Sequence, residues 1–116
     1  FVAARATSTP VGDGEEAGAI AAVFADNLAN LNVSGVKSMT GHLLGAAGSM
    51  GAFTAIKAIE TGVISPSINI ENLDPIVAAT GLNVTPNQAV KKEVRAALAN
   101  SFGFGGTNAS LVFQAI

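Results

Sequence analysis

The sequence predicts an α/β fold, on three observations. Short β-favouring apolar runs alternate with longer helix-forming segments, in the order strand, helix, strand, helix, strand, strand. That order is typical of α/β proteins with at least one βαβ unit. Apolar residues make up 49% of the chain, and charged residues only 12%, against about 25% in an ordinary domain. Because so few charged residues cannot easily cover a protein surface, we expect the chain to pack inside a larger assembly or domain.

The first elements follow from local pattern. Residues 1–4 form a short apolar run that predicts a buried strand. Residues 6–14 are rich in hydroxyls, Pro and Gly and predict a turn. Asp13 and Glu16 favour a helix start, because acidic groups are stabilised near the positive end of the helix dipole. Residues 17–28 are almost entirely apolar, which predicts a helix buried on more than one side.

Residues 33–36 predict a short second strand, and residues 43–59 predict a second helix. Gly and Ala crowd its first turns, which permits close approach of another backbone. Its only polar stripe is formed by Thr54, Lys57 and Thr61. Glu60 is expected to pair with Lys57, three residues earlier.

The predicted elements in the rest of the chain are shorter. Residues 62–66 end the second helix, and residues 67–89 predict an irregular connection with room for one short strand at 82–84. A strand at 95–100, a glycine loop at 101–108 and a β-favouring run at 109–113 complete the prediction.

Composition argues against several classes of function. A net charge of −2 with six Lys and Arg lacks the basic face that nucleic-acid binding needs. The absence of cysteine removes a disulfide framework, a thiolate nucleophile and a Cys-based metal site. No apolar run approaches the ~18 residues of a membrane span. Residues 1–4 lack the layout of a signal peptide and resemble a strand from within a domain.

Three loops carry polar groups where strands end or helices begin: residues 5–13, 37–42 and 100–108. Ligands of α/β sheets gather outside the carboxyl ends of strands, so we expect these loops to face one site. The second loop holds Lys37 and His42, a cation and an imidazole that are costly to bury. A solvated surface loop is the alternative, because most histidines do no chemistry.

The other two loops have alternatives of their own. In the third, glycines around Phe102 and Phe104 free backbone N–H groups to stabilise an oxyanion. A β-hairpin with both rings in the core is the alternative, and the loop alone favours it. The loop lacks the GxGxxG pattern of a nucleotide site. In the first, Thr7, Ser8 and Thr9 suit either an amide-bearing ligand or the cap of the following helix.

Together the motifs are more specific. Thr-Ser-Thr-Pro-x-Gly-Asp, Lys-Ser-Met-Thr-Gly-His-Leu-Leu-Gly-Ala-Ala-Gly and Asn-Ser-Phe-Gly-Phe-Gly-Gly-Thr-Asn resemble the C-terminal half of a β-ketoacyl-acyl-carrier-protein synthase of type II fatty-acid elongation. The resemblance covers essentially all of residues 1–116. It implies the C-terminal half of a thiolase-like fold, a mixed sheet with buried helices. The N-terminal half, with the nucleophilic cysteine, would be absent.

The resemblance implies a decarboxylating Claisen condensation of an acyl thioester with malonyl-carrier protein. His42 matches the family's second active-site histidine, which stays neutral near a helix N-terminus and donates a hydrogen bond to the malonyl thioester oxygen. Lys37 matches the lysine that tunes the histidines. Thr7 and Thr9 match threonines that hold pantetheine. The oxyanion N–H and the acyl-pocket gate are matched by one short segment, Phe102, Gly103 and Phe104.

Two positions depart from the family pattern. Arg5 occupies the place of the first histidine, and arginine donates hydrogen bonds but cannot act as a base. It could hold the malonyl carboxylate instead, so we predict impaired decarboxylation. Gly51 replaces a glutamate that supports the lysine and histidine. Either change can arise from a single base substitution. A sequence error, a decaying gene and real divergence are therefore alternative explanations of both changes.

Three functions remain open. The leading one is a fragment of fatty-acid elongation, inactive alone. The second is a piece of a polyketide ketosynthase. The third is a non-catalytic partner like a chain-length factor, which Arg5 favours and which Lys37 and His42 oppose. Expected partners are acyl carrier protein, with its phosphopantetheine as substrate carrier, and a second copy in a homodimer. We expect no cofactor, metal, nucleic acid or membrane, a cytoplasmic or organellar location, and a chain that aggregates alone.

Overall fold

The computed structural model describes all of residues 1–116, which form two sheets with helices around them. Two segments, Ala25–Asn30 and Leu44–Ala46, are 3₁₀ turns. The helices are α1 (Gly12–Val23), α2 (Lys37–Thr40), α3 (Ala47–Thr61) and α4 (Pro75–Ala79). The strands are β1 (Val2–Ala3), β2 (Val33–Ser34), β3 (Val63–Ile64), β4 (Val90–Lys91), β5 (Ala96–Phe102) and β6 (Asn108–Gln114).

The main sheet has the strand order β2-β1-β5-β6. β1 runs parallel to both β2 and β5, while β5 and β6 pair as an antiparallel hairpin from Ala96↔Gln114 to Phe102↔Asn108. β3 and β4 form a separate two-stranded antiparallel ladder. The α/β class, the mixed sheet and the βαβ unit β1-α1-β2 are therefore confirmed.

Two apolar clusters occupy opposite faces of the main sheet. Val2 packs with Ile20 of α1, whereas the next residue, Ala3, packs with Ala55 and Ala58 of α3. Successive side chains of a strand point to opposite faces, so α1 and α3 cover the sheet from its two sides. Both residues of β1 are completely buried, which makes this strand the centre of the molecule.

The helix predicted at residues 17–28 has different limits. α1 begins at Gly12, inside the predicted turn, and ends at Val23, after which the chain tightens into a 3₁₀ turn broken by a non-helical Asn27. It is also buried on one side only, through Glu16, Ala17 and Ile20. Hence Glu16 lies on the buried face, where its carboxylate meets backbone donors rather than the exposed first turn.

The second helix is closer to its prediction. A 3₁₀ turn precedes α3, which extends to Thr61 and ends at Gly62 with a left-handed φ of +63°. Lys57 and Glu60 form the predicted pair, 2.6 Å apart. Thr54, however, is buried and donates to the Met50 carbonyl, so it does not belong to an exposed polar stripe.

The irregular connection contains more structure than predicted. The short strand predicted at residues 82–84 is reduced to a single β-bridge, Asn32↔Asn83. A short helix, α4, begins at Pro75, and the Asp74 carboxylate accepts a hydrogen bond from the Ile76 N–H at 2.8 Å. An Asp cap followed by Pro is a recognised start signal that the prediction overlooked.

Several large apolar side chains remain at the surface, which agrees with the expectation that the chain packs against more protein. Phe53 of α3 and Val112 of β6 are 55% and 71% exposed. The edge strand β6 of the main sheet has one unpaired edge within residues 1–116, whereas the outer edge of β2 bonds to Asn83. None of the helices combines the length and the apolarity that a bilayer crossing needs.

Candidate active site

The first two loops meet at a cavity of about 640 Å³. The segment at residues 67–74 closes another side of it, tied to the second loop by the Ser38 hydroxyl, which accepts a hydrogen bond from the Ile68 N–H at 2.9 Å. Four of the predicted site residues line this cavity: Thr7, Thr9, Lys37 and His42. Residues of the third loop do not line it. Arg5, beside the cavity, links the third loop to it through Phe102.

Lys37 is the first residue of α2 and joins the first loop to the second. Its ammonium group donates a 2.5 Å hydrogen bond to the Arg5 carbonyl. Partial burial lowers the pKa of Lys37 below its ordinary value of 10.5, and the nearby Arg5 cation adds to this, while Glu16 and Asp13 act in the opposite direction. Lys37 is therefore a positioned cation whose charged form is less favoured than usual.

His42 follows Gly41, which adopts a φ of +71° that an L side chain rarely takes. The imidazole is exposed, and its Nδ1 accepts a hydrogen bond from the Leu44 N–H at 3.0 Å. An accepting Nδ1 puts the proton of the neutral ring on Nε2. The local fold thus leaves one donor, the Nε2–H, free for a ligand.

Arg5 is half-buried in the first loop, two residues after the strand β1 ends. Its guanidinium carbon lies 5.9 Å from the centre of the Phe102 ring, within the range of a cation–π contact. The two side-chain ion pairs of the structure, Lys57–Glu60 and Arg95–Glu93, involve other residues. Neither the Arg5 guanidinium nor the Lys37 ammonium group therefore has a carboxylate oxygen within 4 Å.

Glu16 is a site residue that the sequence reasoning missed. Its carboxylate, in a residue only 6% exposed, accepts hydrogen bonds from the Arg5 N–H at 2.8 Å and the Ala6 N–H at 2.9 Å. Asn100 of β5 donates to it as well, at 3.3 Å. A lone carboxylate on the apolar face of α1 was the available signal, since a buried charge demands partners.

The hydroxyls of the first loop lie close together. Thr7 Oγ1 and Thr9 Oγ1 are 3.5 Å apart, and Thr9 Oγ1 also accepts a hydrogen bond from the N–H of Gly12, where α1 begins. Thr9 therefore bonds the first residue of α1, while the N-cap residue itself is Val11, which supplies no side-chain cap. The Asp13 carboxylate accepts from the Ser8 N–H at 3.0 Å, which fixes the turn between them.

The third loop is the tip of the β5–β6 hairpin, and Gly103 N–H donates to the Thr107 carbonyl at 2.7 Å. The prediction of a hairpin is confirmed, but the prediction that both rings lie in the core is wrong. Phe104 is fully exposed (102%), since the hairpin tip projects beyond the sheet, and Phe102 is half-buried beside Arg5. Gly51 is buried in α3 against Ala99 of β5.

Comparison with known proteins agrees with this arrangement. The chain is 48% identical over 118 residues to the mitochondrial 3-oxoacyl-[acyl-carrier-protein] synthase of Arabidopsis thaliana, covering all of this chain and 25% of the relative. It superimposes on the ishigamide ketosynthase/chain length factor with a TM-score of 0.90 at 40% identity, covering 100% and 28%. It superimposes on a type II polyketide ketosynthase, solved with its acyl-carrier protein, with a TM-score of 0.91 at 31% identity, covering 99% and 28%.

These relatives are about four times as long as the segment that matches them, so the chain spans about a quarter of their length. The family described as "Beta-ketoacyl synthase, C-terminal domain" matches residues 1–71, which hold both loops that line the cavity. By this match, and by the identity to complete synthases, the chain belongs to the β-ketoacyl synthase family.

Proposed function

We propose that residues 1–116 are the C-terminal part of a 3-oxoacyl-acyl-carrier-protein synthase of fatty-acid biosynthesis. The observation that carries the proposal is the meeting of Lys37 and His42 with Thr7 and Thr9 around one cavity. The reaction is a decarboxylating Claisen condensation. The bond between the malonyl carboxylate and its methylene carbon breaks, carbon dioxide leaves, and the electron pair remains as a thioester enolate. The enolate carbon attacks the carbonyl carbon of the cysteine-bound acyl thioester, so that a carbon–carbon bond forms, the acyl carbon–sulfur bond breaks and the cysteine thiolate leaves.

His42 would stabilise the enolate by donating a hydrogen bond. Its Nδ1 is occupied by the Leu44 N–H, so its Nε2–H is the atom available to donate to the thioester oxygen as negative charge develops there. A fixed donor stabilises the charged oxygen of the enolate more than the neutral thioester carbonyl oxygen of the ground state, which lowers the barrier. The Lys37 cation, at the start of the same loop and tied to the Arg5 carbonyl of the first loop, would add to the same field.

Binding of the carrier arm would use the hydroxyls. Thr7 and Thr9 stand at the cavity wall, 3.5 Å apart, where they can hydrogen-bond the amides of pantetheine. The N–H of Phe104 would be the oxyanion donor and its exposed ring the gate, within the segment Phe102, Gly103 and Phe104, where the Gly103 N–H is already bonded to the Thr107 carbonyl. Substrate arrives on the carrier's phosphopantetheine, so the proposed reaction needs no cofactor bound to this chain.

The segment alone would be inactive, because it contains no cysteine to carry the acyl group. A complementary N-terminal half would supply the cysteine and cover the exposed apolar side chains of α3. Acyl carrier protein is the proposed partner, with a second copy in a homodimer, and the proposed location is the cytoplasm or an organelle. The type II ketosynthase solved with its carrier protein supports the carrier-protein partner, and the Arabidopsis relative named as mitochondrial supports the organellar location.

A second candidate is a ketosynthase of polyketide synthesis, or its non-catalytic chain-length-factor partner. Arg5 favours the non-catalytic form, since a guanidinium cannot act as the base that a histidine provides. The 40% identity to a chain of the ishigamide ketosynthase/chain length factor supports the polyketide candidate as a whole, in its catalytic and its non-catalytic form. Lys37 and His42 oppose the non-catalytic form, because both residues are present and both line the cavity.

A chimera tests the proposal. Residues 1–116 replace the matching segment of an intact 3-oxoacyl-acyl-carrier-protein synthase, and condensation of an acyl thioester with malonyl-carrier protein is measured. We expect the chimera carrying Arg5→His and Gly51→Glu to condense, and the same chimera with His42→Ala to lose at least about a hundredfold in rate. A folded Arg5→His, Gly51→Glu chimera that does not condense would contradict the fatty-acid proposal and favour the non-catalytic one.

A further inference from the structure

The β5–β6 hairpin is bonded near its tip to the buried carboxylate of α1. Asn100 of β5 donates a hydrogen bond from Nδ2 to Glu16 Oε1 at 3.3 Å, and its Oδ1 accepts one from the Ser110 hydroxyl at 2.7 Å. Asn100 and Ser110 lie directly opposite each other in the strand pairing. The reverse orientation of the carboxamide would set its oxygen against a carboxylate oxygen, so these two bonds determine which atom faces α1.

Strand alternation places Asn100 on the α1 side of the main sheet. Leu98 packs against the apolar cluster that contains Ile20 of α1, whereas its two neighbours in β5 belong to the cluster that contains α3. Because successive side chains point to opposite faces, Asn100 and Phe102 follow Leu98 on the α1 face. Phe102 is the residue whose ring lies 5.9 Å from the Arg5 guanidinium carbon. One face of β5 therefore contacts both α1 and the first loop.

Glu16 joins the hairpin to the first loop. Its Oε1 accepts the Arg5 N–H at 2.8 Å together with the Asn100 amide, and its Oε2 accepts the Ala6 N–H at 2.9 Å. Ala6 has a φ of +36°, which a residue with a side chain rarely adopts, so these bonds hold the loop in a strained conformation. The Arg5 carbonyl in turn accepts from Lys37. A continuous series of hydrogen bonds thus runs from the hairpin through α1 and the first loop to α2.

We propose that Asn100 is a positioning residue, which couples the hairpin tip that carries Phe104 to the first-loop hydroxyls. The inference rests on the proposed function, in which the tip and the hydroxyls contact different parts of one thioester substrate. Condensation would then need the two loops at a fixed separation. A carboxamide suits this position because it supplies a donor for the carboxylate and an acceptor for the Ser110 hydroxyl, whereas an ionised aspartate supplies acceptors only.

Hydrogen exchange tests the coupling without any need for activity. In the chimera described above, Asn100→Ala leaves the buried carboxylate with one donor fewer, so exchange at the Arg5 and Ala6 amides should quicken by about tenfold or more. Ser110→Ala frees the carboxamide to turn and should produce a smaller change in the same direction. Exchange within α3 is measured alongside, because a rise there reports global destabilisation. Unchanged exchange at both first-loop amides in Asn100→Ala would overturn the coupling.

The pH dependence of Asn100→Asp separates positioning from a loss of packing. A protonated aspartic acid donates to Glu16 as the amide does, whereas two ionised carboxylates repel each other, which raises the pKa of the pair. In the chimera carrying Arg5→His and Gly51→Glu, we expect Asn100→Asp to retain kcat at low pH. As the pH rises through the raised pKa, kcat should fall about tenfold or more relative to the unsubstituted Asn100 version, with little change in KM. Other charged or titratable groups stand around Glu16, and β5 adds none: Arg5, Asp13, Lys37 and His42.

Gln114→Glu is the matched control, because it adds the same charge at an exposed amide at the far end of the same hairpin. It should keep the pH profile of the unsubstituted version. A ratio of kcat values for Asn100→Asp that does not fall with rising pH would contradict the proposal. So would an Asn100→Ala variant that exchanges faster but condenses at the unsubstituted rate.

The outcomes also separate this inference from the proposed function. If the exchange result holds and the chimera carrying Arg5→His and Gly51→Glu does not condense, the coupling stands and the proposed function fails. The pH dependence of Asn100→Asp is then read from amide exchange, corrected for the intrinsic exchange rate at each pH. Circular dichroism identifies misfolded variants, and Asn100→Asp at low and high pH carries the comparison where Asn100→Ala does not fold.

Discussion

The ammonium group of Lys37 donates a hydrogen bond to the main-chain carbonyl of Arg5, at 2.5 Å and across 32 residues of sequence. This bond fixes the loop after β1 against the start of α2, so two motifs that are separate in the sequence share one cavity wall. The lysine thereby works as a structural tie and as a local charge, and its titration should report on both.

The first prediction concerns that titration. Burial lowers the pKa of Lys37 below 10.5, with Arg5 adding to the shift, so its neutral amine should appear at a lower pH than that of an ordinary lysine. Competitive labelling with an acylating reagent as a function of pH, read by peptide mass spectrometry on the chimera, measures this directly. Exposed Lys91 is the internal control. Arg5→Met should move the Lys37 profile to higher pH, and an unchanged profile would contradict a charge contribution from Arg5.

The lowered pKa of Lys37 also predicts how the free energy of unfolding changes with pH. A folded state that holds the Lys37 proton less tightly than the unfolded chain takes up a proton on unfolding. The stability tied to this group is present above 10.5 and is lost as the pH falls through the lowered folded value. We expect Lys37→Met to flatten the rise of stability with pH just below 10.5. An identical slope in both proteins would exclude this linkage.

The second prediction concerns Glu16. Replacing this carboxylate by an amide puts an N–H donor where three donors already point, so one or more bonds to Arg5, Ala6 or Asn100 must break. In the chimera, Glu16→Gln should speed hydrogen exchange at the Arg5 and Ala6 amides by about tenfold or more. Exposed Glu15→Gln, one residue earlier in α1, should not. Equal exchange in the two variants would show that Glu16 does not hold this loop.

The third prediction compares two glycines of α1. A Cβ on Gly12 would lie 2.5 Å from Thr9 Oγ1, whereas one on Gly18 would meet nothing within 4 Å. Gly12→Ala should therefore displace the first loop and speed amide exchange at the start of α1. Gly18→Ala should slow exchange across the helix, because alanine favours a helix interior by about 0.5–1 kcal/mol over glycine. Changes of the same sign at both positions would contradict the packing around Gly12.

The fourth prediction concerns residues 1–116 expressed alone. Val112 is 71% exposed on the edge strand β6, a position that favours pairing with another chain. Val112→Lys should reduce self-association in sedimentation velocity and lower the binding of an apolar dye. Val23→Lys, at a side chain 77% exposed away from the sheet, adds the same charge and should have a smaller effect. Equal effects would show that net charge, rather than the open edge, controls association.

Local patterns predicted much of this fold because they need no distant partner. The apolar run at residues 1–4, the helix stop at Gly62 and the glycine-rich hairpin each carry their signal within a few residues. The role of Glu16 could not be predicted in this way, since one of its partners, Asn100, lies 84 residues further along the chain. The exposure of Phe104 is likewise a tertiary fact, because the length of β5 and β6 decides how far the hairpin tip projects.

The position of β1 also determines the order in which the chain can fold. β1 pairs on one side with β2, about 30 residues away, and on the other with β5, where Val2 lies opposite Leu98. During synthesis the first pairing can form early, but the second must wait until nearly the whole segment has left the ribosome. Closing so long a loop is slow, since its entropic cost comes before any contact repays it. The strand that lies at the centre of the finished sheet therefore has one unpaired edge through most of the synthesis of residues 1–116.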